Sequence, residues 1–209
     1  MLYMGSIESI EVKEMNRKVL SLKKLSESLS KDRAKEMTGR TRGVKVRSFL
    51  ERLLRGEGGP LLVLLDFSGV GPIDFSWADE VVAKMISRLW SGEYGEKYLV
   101  LKGLNPSQLE NISVALERKR LAALVTGAEG WKIVGSLNNY LAQTLNTVME
   151  KRHLTLRQLS EEEDIGMNTS GTRLLNLYKK RLVLRGEGPS RKKEDSHRGR
   201  QFVYQSLLS

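Results

Sequence analysis

Asp66, Asp74, Asp79 and Glu80 fall in a short stretch that also holds Ser76, and their types allow two kinds of chemistry. Paired carboxylates can divide general acid and base duty, and clustered carboxylate oxygens can hold a divalent cation. Neither is the expectation here. Carboxylates near strand ends and helix starts usually cap or solvate, and no histidine, cysteine or glycine-rich nucleotide loop lies near these four. The chain has no cysteine, hence no thiolate nucleophile, disulfide framework or Cys-based zinc site, and His153 and His197 are too few for a multi-histidine centre. The residues therefore predict no catalytic site, no metal and no cofactor.

A second set lies near the C-terminus. Asn168, Thr169, Ser170, Thr172, Arg173 and Asn176 follow one another at helical spacing, and Arg191, Lys192, Lys193, Arg198 and Arg200 crowd a segment that also contains Gly186, Gly188, Pro189 and Gly199. Amide, hydroxyl and guanidinium groups on a helix can read base edges, and a flexible cationic loop can follow phosphates or probe a minor groove. Arg173 and Asn176, three apart and so on one helical face, are the strongest candidates for base reading. A net charge of +10 favours a polyanionic partner, and an aromatic content of 6% argues against a stacking surface for single strands. The acidic run 161–164 must face away from phosphates or contact another basic surface.

These residues need elements to position them. At 209 residues, 40% hydrophobic and 29% charged, the chain has the composition of a globular protein and the length for two small domains. Val12, Met15, Val19, Leu22 and Leu29, with Ser26 in the remaining seam position, predict a helix that packs a stripe on its own domain in preference to a dimerising coiled coil, since the pattern lasts under three heptads. Residues 7–12 also fit a short strand. The basic turn 39–43 precedes a helix predicted over 44–55, and a solvated turn is preferred there to a phosphate loop because the glycine spacing is wrong. The apolar runs 61–67 and 98–101 predict buried strands, separated by a helix with Val81, Val82, Met85, Ile86, Leu89 and Trp90 on one face. A helix opened by Asn105 and Pro106 and two short strands, 121–125 and 131–134, complete an α/β sandwich with a mostly parallel or mixed sheet.

Beyond residue 136 the pattern changes. Leu137, Tyr140, Leu141, Thr144, Leu145, Val148 and Met149 mark a helix, Thr155 caps a short one, and Ile165 and Gly166 turn into the next, which carries the polar set. Strands at 182–185 and 201–205 flank the basic loop. The longest apolar run is far short of the roughly 20 residues that span a bilayer. The N-terminus lacks a secretory pattern, which predicts a cytoplasmic location with no membrane association.

The segment 39–134 resembles the STAS-like domains, relatives of bacterial anti-anti-sigma factors, through G-R-T-R-G at 39–43, L-L-D-F-S-G-V at 64–70, S-W-A-D-E at 76–80 and L-K-G-L-N-P at 101–106. In that family a D-S-S-G-L motif opens the helix after the strand and its second serine is phosphorylated by a partner kinase. Aligned on the aspartate, the motif falls on Asp74 to Ala78 and the switch serine on Ser76. Phe75, Trp77 and Ala78 depart from it, and Asp79 and Glu80 bring negative charge that repels a phosphate. The alternative for Ser76 is a helix N-cap. The segment 135–209 resembles the winged helix-turn-helix family, with 168–181 as recognition helix and the basic loop as wing.

The apolar spacing gives an N-terminal helical segment over 1–38, and the resemblances imply a STAS-like α/β domain over 39–134 and a winged helix-turn-helix domain over 135–209. The function expected is a duplex-DNA-binding transcriptional regulator, homodimeric as such regulators commonly are, whose STAS-like domain senses a signal or binds a partner. The alternative is a partner-switch regulator engaging a kinase or other regulatory protein without contacting DNA.

Overall fold

The computed structural model describes residues 15–29, 37–188 and 202–208. By its internal contacts the chain divides into two units, Met15–Asn139 with Lys179–Leu182, and Tyr140–Tyr178 with the described part of Val183–Ser209. Residues 7–12 lie outside the described residues.

The first unit is an α/β fold on a five-stranded mixed sheet in the order β1 (Asn16–Ser21), β2 (Leu61–Asp66), β3 (Lys97–Lys102), β4 (Ala122–Gly127), β5 (Gly130–Gly135). β1 to β4 run parallel and β5 returns antiparallel to β4. Parallel strands in sequential order, joined by crossovers of the one hand such units favour, deliver their helices to one face. On that face Leu61, Val63 and Leu65 of β2, Leu99 and Leu101 of β3, and Ala123 and Val125 of β4 form one apolar cluster with Leu50, Trp77, Met85, Leu89 and Ile112 from the helices. Leu62, Tyr98 and Val100 point the opposite way and are also buried, as the unbroken apolar runs require.

Residues 16–21, expected within a helix, form a strand instead. Their backbone pairs along the whole of β2, from Asn16 opposite Leu61 to Ser21 opposite Asp66. Val19, expected in a buried stripe, is 63% exposed on this edge strand. The helical pattern begins only at α1 (Leu22–Leu29), which buries Leu22 and Leu25.

The helix α2 (Arg40–Gly56) starts earlier than the sequence suggests, with most of the basic turn inside its first turn. Gly43 makes this possible, because a Cβ there would lie 3.0 Å from Glu80 Cβ, so a larger residue would hold α2 away from the helix it packs against. That helix is built from α3 (Phe75–Ala78), a π-helical turn (Asp79–Ala83) and α4 (Lys84–Trp90). After β3, Asn105 and Gln108 form a reciprocal capping box at the start of α5 (Pro106–Arg118). The Gln108 amide also donates to the carbonyls of Val70 and Gly71, at 3.0 and 2.9 Å, fixing the loop after β2.

The second unit runs α6 (Asn139–Lys151), β6 (His153–Thr155), α7 (Leu156–Glu162), α8 (Met167–Lys179), β7 (Val183–Glu187), β8 (Phe202–Ser206). Its antiparallel sheet has the order β6-β8-β7, so the short strand after the first helix closes onto the last. Leu141, Leu145, Val148, Leu154, Leu159, Leu174, Leu177 and Val203 are buried. Thr155 and Gln158 cap α7 reciprocally, and Gly171 lets α8 approach α7, since a Cβ there would lie 2.8 Å from Leu156 Cδ1.

Candidate nucleic-acid interface and candidate switch site

The polar residues of α8 divide into two groups. Met167, 48% exposed, together with Asn168, Thr169 and Thr172 forms an open helix tip. Asn168, Thr172 and half-buried Asn176 follow at steps of four and so share a face. The Thr172 hydroxyl donates to the Asn168 carbonyl at 2.9 Å, which leaves its oxygen free to accept.

Ser170 and Arg173 belong to the other group. Ser170, expected among the DNA contacts, is 0% exposed and its hydroxyl donates to the Gly166 carbonyl at 3.2 Å. Helical rotation turns it inward between its exposed neighbours. Arg173, expected to read bases, directs Nη1 to Glu163 Oε2 at 2.9 Å and lies 5.4 Å from the centroid of the Tyr140 ring. Glu163 also accepts from Thr144 at 3.1 Å and Thr147 at 2.9 Å. The acidic run is therefore split: the Glu163 side chain is 3% exposed, whereas Glu162 pairs with Lys151 at the surface.

Arg191, Lys192, Lys193, Arg198 and Arg200 lie outside the described residues. The strands that carry their loop are in place, with Glu187 opposite Phe202 as the last pair before it. Sequence reading passed over Arg157, which is exposed in the first turn of α7. The T-x-x-Q capping signature at Thr155 fixes that turn and could have placed it.

In the first unit Asp74, not Ser76, caps the helix. Asp74 Oδ1 accepts from the Trp77 N–H at 2.7 Å and Oδ2 from the Gly39 N–H at 2.9 Å, tying α3 to the entry of α2. Ser76 is half-buried one residue inside the helix. The Asp66 carboxylate accepts from the Ser68 N–H at 2.9 Å, and hydrogen bonds from Ser68 hold it below the ordinary aspartate range.

Asp79 and Glu80, expected to present charge at the helix start, are buried among cations. Lys119 Nζ lies 2.7 Å and Arg40 3.6 Å from Asp79. Glu80 takes Arg47 Nε at 3.0 Å, Arg40 at 3.6 Å and the ammonium of Lys84. Burial pushes the Glu80 carboxyl up, but hydrogen bonds from Lys84 and Arg47 and their charges outweigh it and hold it below its ordinary value. Glu51 extends the network to Arg47 and Arg88. Asp66 and Asp74 thus accept from backbone N–H groups, whereas Asp79 and Glu80 share Arg40 and each pair with further cations of their own.

No protein-family model matches the chain, and no curated protein shows significant similarity to it. Among the described residues no helix is long and apolar enough to cross a membrane.

Proposed function

We propose that the chain is a DNA-binding transcriptional regulator in which the second unit acts as a winged helix-turn-helix and the first, as a STAS-like domain, receives a signal or a protein partner. The observation that carries this reading is the order α6-β6-α7-α8-β7-β8 with β6 closing a β6-β8-β7 sheet, combined with the exposed polar tip of α8. That arrangement suits a recognition helix followed by a wing, with Asn168, Thr169 and Thr172 presented to base edges or phosphates. The net charge of +10 and the basic residues between β7 and β8 add the sequence-independent part of duplex affinity. Two copies on adjacent half-sites would multiply affinity and specificity.

The test is selection of bound duplexes from a random pool at two salt concentrations. A defined site and a steep loss of affinity with salt are expected, and Lys192→Ala with Lys193→Ala should flatten the salt slope. A salt-insensitive interaction, or no duplex bound under either condition, would remove the reading.

The partner-switch reading has one observation in its favour. Asp79 and Glu80, whose charge counted against a phosphate on Ser76, are matched by Arg40, Arg47, Lys84 and Lys119. Ser76→Asp would then change binding of a protein partner or release of DNA.

A further inference from the structure

One cation of the second unit has rings where a carboxylate would ordinarily stand. Arg185 on β7 lies directly opposite Tyr204 on β8, and Phe202, two residues from Tyr204, shares its face of the hairpin. The guanidinium carbon is 3.5 Å from the centroid of Phe202, 5.7 Å from that of Tyr178 on α8 and 5.9 Å from that of Tyr204. Three rings from two elements therefore clamp one charged group at the junction of helix and hairpin.

The clamp is not explained by packing alone. Arg185 is half-buried, and among the described residues its buried Nε has no hydrogen-bond acceptor and its guanidinium makes no ion pair. An uncharged side chain of similar length would fill the space between the rings without the desolvation cost of a guanidinium. Stacking on a ring covers the cation's face, and with Nε buried only the two terminal Nη groups, which are not among the buried unpartnered atoms, remain to bond in the guanidinium plane. The planar pair of Nη groups, a fork held in place by the rings, matches two oxygens of a phosphate.

We infer that Arg185 is a preorganised phosphate-binding residue, its ring-clamped guanidinium holding a backbone phosphate of duplex DNA beside α8. The inference rests on the DNA-binding reading above. Because the rings already order the side chain, little rotamer freedom remains to be lost on binding. The contact adds affinity and register rather than base discrimination.

The experiment uses the full chain and a duplex selected by the wild-type protein, with affinity measured across a range of KCl concentrations. Arg185→Met keeps apolar contact with the rings and removes the charge. It should weaken binding about ten-fold on every duplex and reduce the logarithmic salt slope by about 0.9. Arg185→Lys should restore the slope but not the full affinity, because an ammonium lacks the fork. A second readout is the Arg185 Nε–H NMR resonance, which should move when the duplex is added. An unchanged slope in Arg185→Met with normal wild-type binding overturns this inference and leaves the DNA reading intact. Absence of wild-type duplex binding, or binding confined to single-stranded RNA or a protein, overturns both. If Arg185→Met fails to unfold cooperatively, the Lys variant and the resonance decide, and a resonance unmoved by saturating duplex counts against the contact.

Discussion

Arg173 Nη1 stands 2.9 Å from Glu163 Oε2, and this pair joins the end of α7 to the middle of α8 while Thr144 and Thr147 bring α6 to the same carboxylate. A guanidinium that sequence spacing points toward bases is thereby committed to holding the three helices of its unit together. With the Glu163 side chain 3% exposed and that of Arg173 19% exposed, the pair is shielded from water and salt.

Removing one partner should cost more than removing charge from both. Arg173→Ala should destabilise the second unit by roughly 2–4 kcal/mol, since it leaves Glu163 buried without a cation. Arg173→Met combined with Glu163→Gln should recover a good part of that loss. Urea unfolding followed by helical circular dichroism measures both. An Arg173→Ala variant as stable as wild type would mean that the pair does not hold the helices.

Asp74 and Ser76 separate cleanly by substitution. Asp74→Ala loses the cap on Trp77 and the tie to Gly39, and should cost about 1–2 kcal/mol. Ser76→Ala should stay within about 0.5 kcal/mol of wild type in thermal unfolding. A larger penalty for Ser76→Ala than for Asp74→Ala would reverse the assignment of the cap.

Acid should weaken the first unit through Glu80. Its folded value is depressed below the ordinary 4.5, so its contribution is fully present above the unfolded value and disappears as pH falls through the folded one. Asp66, also depressed, acts in the same direction. Stability should therefore drop between about pH 5 and pH 3, and Glu80→Gln should be less stable at neutral pH yet show a shallower decline. Parallel pH–stability curves for the two proteins would show that the cation network is not coupled to folding.

At the α8 tip, Asn168→Ala should relax discrimination at one base pair, at about 1–3 kcal/mol, while leaving the salt slope unchanged. Competition between the selected duplex and single-base variants reads this directly. Uniform weakening across all sequences would instead make Asn168 a phosphate contact.

What the sequence determined alone are the features whose causes lie within a few residues. Asn105 with Gln108 and Thr155 with Gln158 announce helix starts because each cap and its partner are three residues apart. The run at 61–66 declares a doubly covered strand because its own composition allows little else. The alternation of strands and helices then yields an α/β architecture, and the three helices and hairpin beyond residue 139 are legible for the same reason. Tertiary structure decided whatever depends on a distant partner. Residues 16–21 carry a helix-like spacing but take the pairing offered by Leu61–Asp66, because a whole edge of hydrogen bonds outweighs a weak local preference. Asp74 caps α3 through the local Trp77 N–H, but its second bond, from the Gly39 N–H far back in the chain, exists only in the fold. Arg173 turns inward because Glu163 would otherwise be a buried charge alone, and Arg185 finds its rings only when β8 returns beside β7.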